Sequence, residues 1–401
     1  MLAQNLTAAG PDPLAWLDAE AADRRSAGLH RELSPRAADA PRGARGPIDL
    51  ASNDYLGLSG HPEVIAGAVD AARRWGTGST GSRLVTGSTE EHDALERELA
   101  DFAGAGSGLI FSSGYTANLG AVTALAGRGS LIVSDAGSHA SLVDACRLSR
   151  ARVVVTPHAD VDAVERALAT RDESRALVIT DSVFSADGDL APLRALHAAC
   201  RRRGAVLLVD EAHALGVRGD GGRGLVHELG LAGAPDVVVT ATLSKSLGGQ
   251  GGVVLADPRV REHLIDAARS FIFDTGLAPA SVGAARAALT VLGREPARAV
   301  AVLDRARELA AICGGARPES AVVSLVLGDP QRAVDAARWC AGRGLRVGCF
   351  RPPSVPAGTS RLRLTARADL NAGDMAVAAD VLGAVADGSW IAGTRTAGAA
   401  S

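Results

Sequence analysis

The sequence predicts an α/β fold: a mostly parallel seven-stranded sheet with helices on both faces, followed by a smaller C-terminal α+β domain. Two observations carry that expectation. Short apolar runs at 108–111, 131–134, 152–156, 176–180, 205–210, 236–240 and 252–256 are separated mostly by helical patterns. Several of these runs are continuously apolar rather than alternating, as in strands buried on both faces. The β-α-β-α order implies parallel strands joined by right-handed crossovers, and such sheets bind ligands beyond the carboxyl ends of their strands.

In chain order, an amphipathic stretch over 13–33 predicts a helix, and the Pro/Arg/Ala-rich segment 34–47 a linker, so residues 1–48 form an N-terminal helix and arm. A large domain is expected over 49–278, with helices at 90–102, 141–149, 161–170 and 193–203. Composition changes near Pro279, and residues 279–390 form the second domain. It opens with one long helical stretch through Cys313, then a strand at 322–327 and a helix at 330–342. Strands near 345–349 and 361–365 and a closing helix over 371–386 complete it. The small polar residues 391–401 predict a disordered tail.

Bulk properties narrow the function. A chain of 401 residues with 47% hydrophobic content can bury a large core. A formal net charge of −3 offers no basic field for nucleic acid. The five cysteines show no C-x-x-C pair or metal spacing and read as reduced core residues, and no metal site is expected. With neither a signal-peptide pattern at the start nor a membrane-length apolar run, a soluble cytoplasmic enzyme with no membrane partner is expected.

The residue that singles itself out is Lys245, the one lysine against 41 arginines. A guanidinium stays protonated, whereas an ε-amine can be tuned to lose its proton and attack a carbonyl. Lys245 follows an apolar β-branched run and precedes glycines, which puts its amine at the mouth of a buried strand and makes it a Schiff-base candidate. Asp210 ends another apolar strand, three residues before His213. It reads either as a capping acid or as the partner of a protonated ring nitrogen. Gly114 and Tyr115 lie at a strand-to-helix turn, where free amides suit a phosphate, and Thr242 and Ser244 add hydroxyls beside Lys245. His139, at a further such turn, is either a cap or a flat ring able to stack on a cofactor. An amine at one pole and an acid at the other suit pyridoxal phosphate.

A family resemblance covers Trp16 to Leu382. Thr242-Leu-Ser-Lys245, Asp210-Glu-Ala-His213, Ser138-His-Ala-Ser141 and Phe184-Ser-Ala-Asp-Gly-Asp189 occur in collinear order with Ser52-Asn-Asp-Tyr-Leu-Gly-Leu58, Gly81-Ser-Arg83 and Gly87. With Arg351-Pro-Pro-Ser-Val-Pro-Ala-Gly358 through Thr365, the set resembles the α-oxoamine synthases, a branch of the fold-type I pyridoxal phosphate (PLP) transferases. The resemblance implies that Lys245 carries the cofactor, Asp210 holds its ring nitrogen, and His213 and Ser185 face its phenolic oxygen. It implies that His139 stacks on the ring, and that Gly114, Tyr115 and Thr242 cradle the phosphate. Thr275 would reach the phosphate of a neighbouring subunit in a homodimer. Arg31, His139, Arg351 and Ser354 match substrate positions. The Asn-Asp-Tyr-Leu-Gly-Leu and Arg-Pro-Pro blocks are most similar to the member that joins L-alanine to a pimeloyl thioester in biotin biosynthesis, the thiol carrier being CoA or acyl carrier protein. Glycine with acetyl-CoA is the alternative pair.

Overall fold

The computed structural model describes residues 12–35 and 46–391. Helix α1 (Ala15–Ser26) ends well before the predicted limit at residue 33. Gly28 takes φ +65°, and the Leu29 amide turns back to the Arg24 carbonyl at 2.7 Å, a stop that glycine permits without strain. Strand β1 (Ile48–Leu50), α2 (Pro62–Trp75) and α3 (Glu90–Ala103) follow. The alternating region then runs β2 (Ser107–Phe111), α4 (Gly114–Leu125), β3 (Ser130–Asp135), α5 (Ala140–Ser149), β4 (Arg152–Thr156) and α6 (Val161–Ala169). It continues with β5 (Arg175–Asp181), α7 (Leu193–Arg203), β6 (Val206–Asp210), the short α8 (Leu225–Glu228), β7 (Val237–Thr242) and β8 (Gly252–Ala256).

Strands β2 to β8 form one sheet in the order β2-β8-β7-β6-β5-β3-β4, in which β8 alone runs antiparallel to its neighbours. These are the seven predicted strands. Successive residues face different cores. Ile132, Ile179, Leu208 and Val238 pack with Ala121 of α4 and Leu142 of α5. Leu131, Val133, Val178, Leu207 and Val209 pack into the opposite core with Leu196 of α7. Burial of both faces is the physical reason these strands read as unbroken apolar runs.

Helices α9 (Pro258–Ala267) and α10 (Arg269–Ile272) lead to α11 (Pro279–Arg294) and α12 (Ala297–Ile312). The single helical stretch expected through Cys313 is therefore two helices. Pro296 has no amide to donate and forces Glu295 off the helix, at φ −123° and ψ 55°. The chain closes with β9 (Val322–Gly328), α13 (Pro330–Ala341), β10 (Leu345–Phe350), β11 (Ser360–Thr365) and α14 (Ala372–Asp387). A second sheet has the order β1-β10-β11-β9, and Ile48 pairs with Leu345 in its parallel edge. Along β11, Leu362 and Leu364 enter the core, while the alternate residues Arg361 and Arg363 turn to the 183–190 loop of the large sheet. The expected tail lies, from residue 392 on, outside the described residues, as do residues 36–45 of the linker. Among the described residues, no helix is long and apolar enough to cross a membrane.

Candidate active site

The strands of the large sheet end in polar residues along one edge: Asp135 on β3, Asp181 on β5, Asp210 on β6 and Thr242 on β7. Lys245 emerges from the turn after β7. Its Nζ lies 2.8 Å from His213 Nε2, and the buried Tyr55 hydroxyl lies 2.5 Å from His213 Nδ1. Burial raises the Tyr55 pKa, so the phenol keeps its proton and donates to Nδ1. Burial, together with the charges of Lys245 and Arg363, holds the His213 pKa well below that of a free imidazole. The neutral ring therefore keeps its proton on Nε2, facing Lys245, which accepts it once the amine is neutral. Burial lowers the amine pKa to about 8, helped by Arg363 and opposed by Asp210. A lysine in these surroundings reaches its nucleophilic, basic form far more readily than one in water.

Asp210 anchors the other side. Asn118, from the second turn of α4, donates from Nδ2 to Asp210 Oδ2 at 2.7 Å and to Ser141 Oγ at 2.8 Å. Its Oδ1 accepts from Thr240 Oγ1 at 2.6 Å, and the Ala212 amide donates to Asp210 Oδ1 at 2.8 Å. Ser141 Oγ lies 2.7 Å from His139 Nδ1, so one chain of hydrogen bonds links His139, Ser141, Asn118 and Asp210. His139 caps α5 through the Ser141 amide, 3.3 Å away, while its own amide donates to Asp181 Oδ2. Asp181 is the register partner of Asp210 on the next strand. Burial, reinforced by the charge of Asp210, holds the Asp181 carboxyl well above the usual range.

A third corner is made of amides and hydroxyls. Ser113 and Thr116 form a capping box at the start of α4, which leaves the first-turn amides of Gly114 and Tyr115 at the helix end. Thr242 Oγ1 lies 2.6 Å from Ser244 Oγ. Space is tight: a Cβ on Gly114 would stand 3.0 Å from Thr242 Cβ, and one on Gly252 would lie 2.2 Å from the Ser113 carbonyl. Ser112 Oγ donates to Asp274, the neighbour of the exposed Thr275. Tyr115 turns outward, its hydroxyl donating to Asp144 at 2.6 Å.

The predicted residues thus gather in two places. Lys245, His213, Asp210, His139, Gly114 and Thr242 share the edge, and Ser185 joins them through its carbonyl, which accepts from Arg363 Nε at 3.1 Å. Arg31, Arg351 and Ser354 gather where the N-terminal segment crosses the 351–354 turn. There Arg351 donates to the carbonyls of Gly28 and His30, Arg31 reaches the Pro352 carbonyl at 3.5 Å, and the Ser354 amide donates to the Arg351 carbonyl. Three further residues belong to the site by position: Asn118, Tyr55 and Arg363. Arg363 is buried and donates to Asn53 Oδ1 at 2.6 Å and Thr365 Oγ1 at 2.8 Å, with His213 Nδ1 at 3.5 Å. The local signal for Arg363 is the Arg-Leu-Arg-Leu alternation of β11, which sets a cation opposite core leucines.

Comparison with known proteins bears on the same residues. The family model for aminotransferase class I and II matches residues 45–382. An 8-amino-7-oxononanoate synthase of Mycolicibacterium gilvum is 70% identical over 94% of this chain and 98% of its own. An SPT structure solved with PLP superposes with a TM-score of 0.86 at 31% identity, covering 93% of this chain and 98% of that one. The Francisella tularensis 8-amino-7-oxononanoate synthase structure gives 0.72 at 25% identity over 86% and 99%. Fold, collinear motifs and relatives agree, and the chain belongs to the class I and II aminotransferase family and, within it, to the 8-amino-7-oxononanoate synthases.

Proposed function

We propose that this protein binds pyridoxal 5′-phosphate and condenses L-alanine with a pimeloyl thioester, releasing carbon dioxide and the free thiol carrier, to give 8-amino-7-oxononanoate for biotin biosynthesis. The observation that carries the chemistry is the lone lysine amine held against His213 at 2.8 Å on the edge that also bears Asp210. The relatives' name carries the substrates. The donor set suits the cofactor: an amine for its aldehyde, a carboxylate for its ring nitrogen, and helix amides with hydroxyls for its phosphate. The Ser138 hydroxyl beside His139, buried with no protein partner, is a further group free for a ligand.

Bound there, PLP supplies an aldehyde that captures amines and a pyridinium that accepts the electron pair left at the substrate Cα. Lys245, able to lose its proton near pH 8, is the base at that carbon. Asp210 would hold the ring nitrogen and favour its protonated form. His213 presents a fixed N–H toward the amine, and the Tyr55 hydroxyl fixes which ring nitrogen carries it. Gly114, Tyr115 and Thr242 would hold the phosphate, Ser185 would serve the phenolic oxygen, and His139 would stack on the ring.

Arg363 is the seat for the substrate carboxylate. Its guanidinium is buried beside His213, yet its acceptors among the described residues are all neutral: Asn53 Oδ1, Thr365 Oγ1 and the Ser185 carbonyl. A buried cation without an anionic partner is costly, and an incoming carboxylate removes that cost. Arg363→Lys, which keeps the charge but loses the fork, should raise KM for L-alanine about 10- to 100-fold and leave KM for the thioester near its wild-type value. Steady-state kinetics with each substrate varied decide it, and an unchanged alanine KM would remove this role. Arg31, Arg351 and Ser354 serve the acyl substrate, whose carrier is CoA or acyl carrier protein.

The protein acts as a homodimer in which Thr275 completes the partner's phosphate seat. Exposed Phe273, Leu84 and Val85 on the adjoining loops support an apolar contact there, since the Gly276 amide ties the two loops together through the Gly81 carbonyl.

The reaction is tested by incubating the protein with L-alanine, glycine and L-serine against pimeloyl, acetyl and palmitoyl thioesters, and weighing the products. L-alanine with the pimeloyl donor is expected to react fastest. Faster condensation of glycine with acetyl-CoA would overturn the substrate reading and leave the PLP chemistry standing.

A further inference from the structure

Two loops leave the carboxyl edge beside the site and meet at one imidazole. The first runs from Asp135, the last residue of β3, to His139; the second, residues 183–190 after β5, carries Ser185. His158, just past β4, stands between them. Its Nδ1 is 2.9 Å from Asp135 Oδ1 and its Nε2 is 2.7 Å from Asp189 Oδ2. A neutral imidazole has one N–H to give, so donation to both carboxylates requires the doubly protonated ring. Asp135 is set as an acceptor on both oxygens: Oδ1 also accepts from the Gly137 amide at 2.6 Å and Oδ2 from the Ala159 amide at 2.7 Å. Phe184 meets the ring edge-on, with centroids 4.3 Å apart.

Each carboxylate shapes its own loop. The Asp135 side chain folds the turn that ends at His139, and its carbonyl accepts from the Ser138 amide. The Asp189 carbonyl accepts from the Phe184 amide at 3.0 Å, which closes the loop around Ser185. The Ser185 carbonyl in turn holds Arg363. A single ring therefore couples the His139 turn to the loop that braces Arg363.

We propose that the His158 imidazolium is a positioning residue for the reaction: a cationic staple that holds the His139 turn and the 183–190 loop in register and lets them part when it loses its proton. The importance of these two loops rests on the PLP reading above; the staple itself rests on the hydrogen bonds. The charged groups that act on the ring are Asp135 from one loop and Asp189 from the other. Partial burial works against the charge, but hydrogen bonds and attraction from both carboxylates outweigh it and raise the His158 pKa above its ordinary value. A group whose native pKa is raised stabilises fully below its unfolded pKa and loses that contribution as pH climbs through the native one. The staple is therefore closed in mild acid and opens on the alkaline side of an ordinary histidine.

Hydrogen exchange read by mass spectrometry on the full-length protein tests this at about pH 6.5 and about pH 9, after correction for intrinsic exchange rates. In the wild type, protection of residues 135–139 and 183–190 is expected to fall about two- to fivefold at the higher pH. His158→Gln should lack that extra protection at the lower pH and change little between the two. PLP loss on dilution, followed by fluorescence, should be faster in His158→Gln at the lower pH and converge with wild type at the higher. Asp189→Asn, which removes one arm, should fall between them. Wild-type protection of both loops in His158→Gln at the lower pH would overturn the staple. An equal deficit at both pH values would also overturn it, since packing rather than charge would then be at work. Failure of PLP to bind at Lys245, with the exchange pattern as expected, would instead count against the cofactor reading alone.

Discussion

Lys245→Ala is expected to lose about three orders of magnitude or more of condensation rate, the range that removal of a positioned base and nucleophile commands. The loss has two causes: the cofactor forfeits its covalent tether, and the substrate Cα forfeits its proton acceptor. The fold should persist, since Lys245 sits in the turn after β7 and no strand pairing depends on its side chain. The chain offers an unusually clean readout because it contains no second lysine. Borohydride reduction of the wild type should place the pyridoxyl group on Lys245. A lysine-specific protease, which cuts the untreated chain once, should then fail to cut it. Label on the N-terminal amine with Lys245 unmodified would remove the lysine from its assigned role.

Asp210→Asn should lower kcat about 100-fold or more while changing KM far less, because the lost interaction matters most as negative charge develops at the substrate carbon. The amide keeps the shape, and its single oxygen can still accept from one of the two donors, Asn118 or the Ala212 amide, so cofactor binding should weaken but survive. The substitution also shifts the titration of two neighbours to lower pH. Asp210 works to keep the Lys245 amine protonated, so its neutralisation should shift the amine's titration to lower pH. The same charge raises Asp181, whose carboxyl should then ionise more easily. The pH dependence of kcat/KM checks the first shift, and a wild-type kcat would reduce Asp210 to a structural acid.

Lys245, Asp210 and His213 were legible because each stands out against its local background. One is a lysine in an arginine chain, and another is an acid closing an apolar strand. Asn118 and Arg363 had no such contrast. An asparagine in the second turn of a helix, or one arginine among 41, is ordinary in the sequence. Asn118 gains its role because α4 lies across β6 and β7, which brings Thr240, Asp210 and Ser141 within reach of one amide. His139 shows that two readings can both be true, since it caps α5 and also terminates the hydrogen-bond chain to Asp210.

The sequence by itself determined the order of strands and helices, because burial on both faces forces continuous apolar runs and solvent-facing helices force periodic ones. It also determined the amine and the acid on which the chemistry turns, because arginine cannot lose its proton to become a nucleophile and no aliphatic residue holds a cation. Only the tertiary structure decided which residues meet. The pairing of β1 with β10 and the arrival of Arg363 beside His213 join segments far apart in the chain. Such contacts depend on how packed layers close over one another, and local composition carries no record of them.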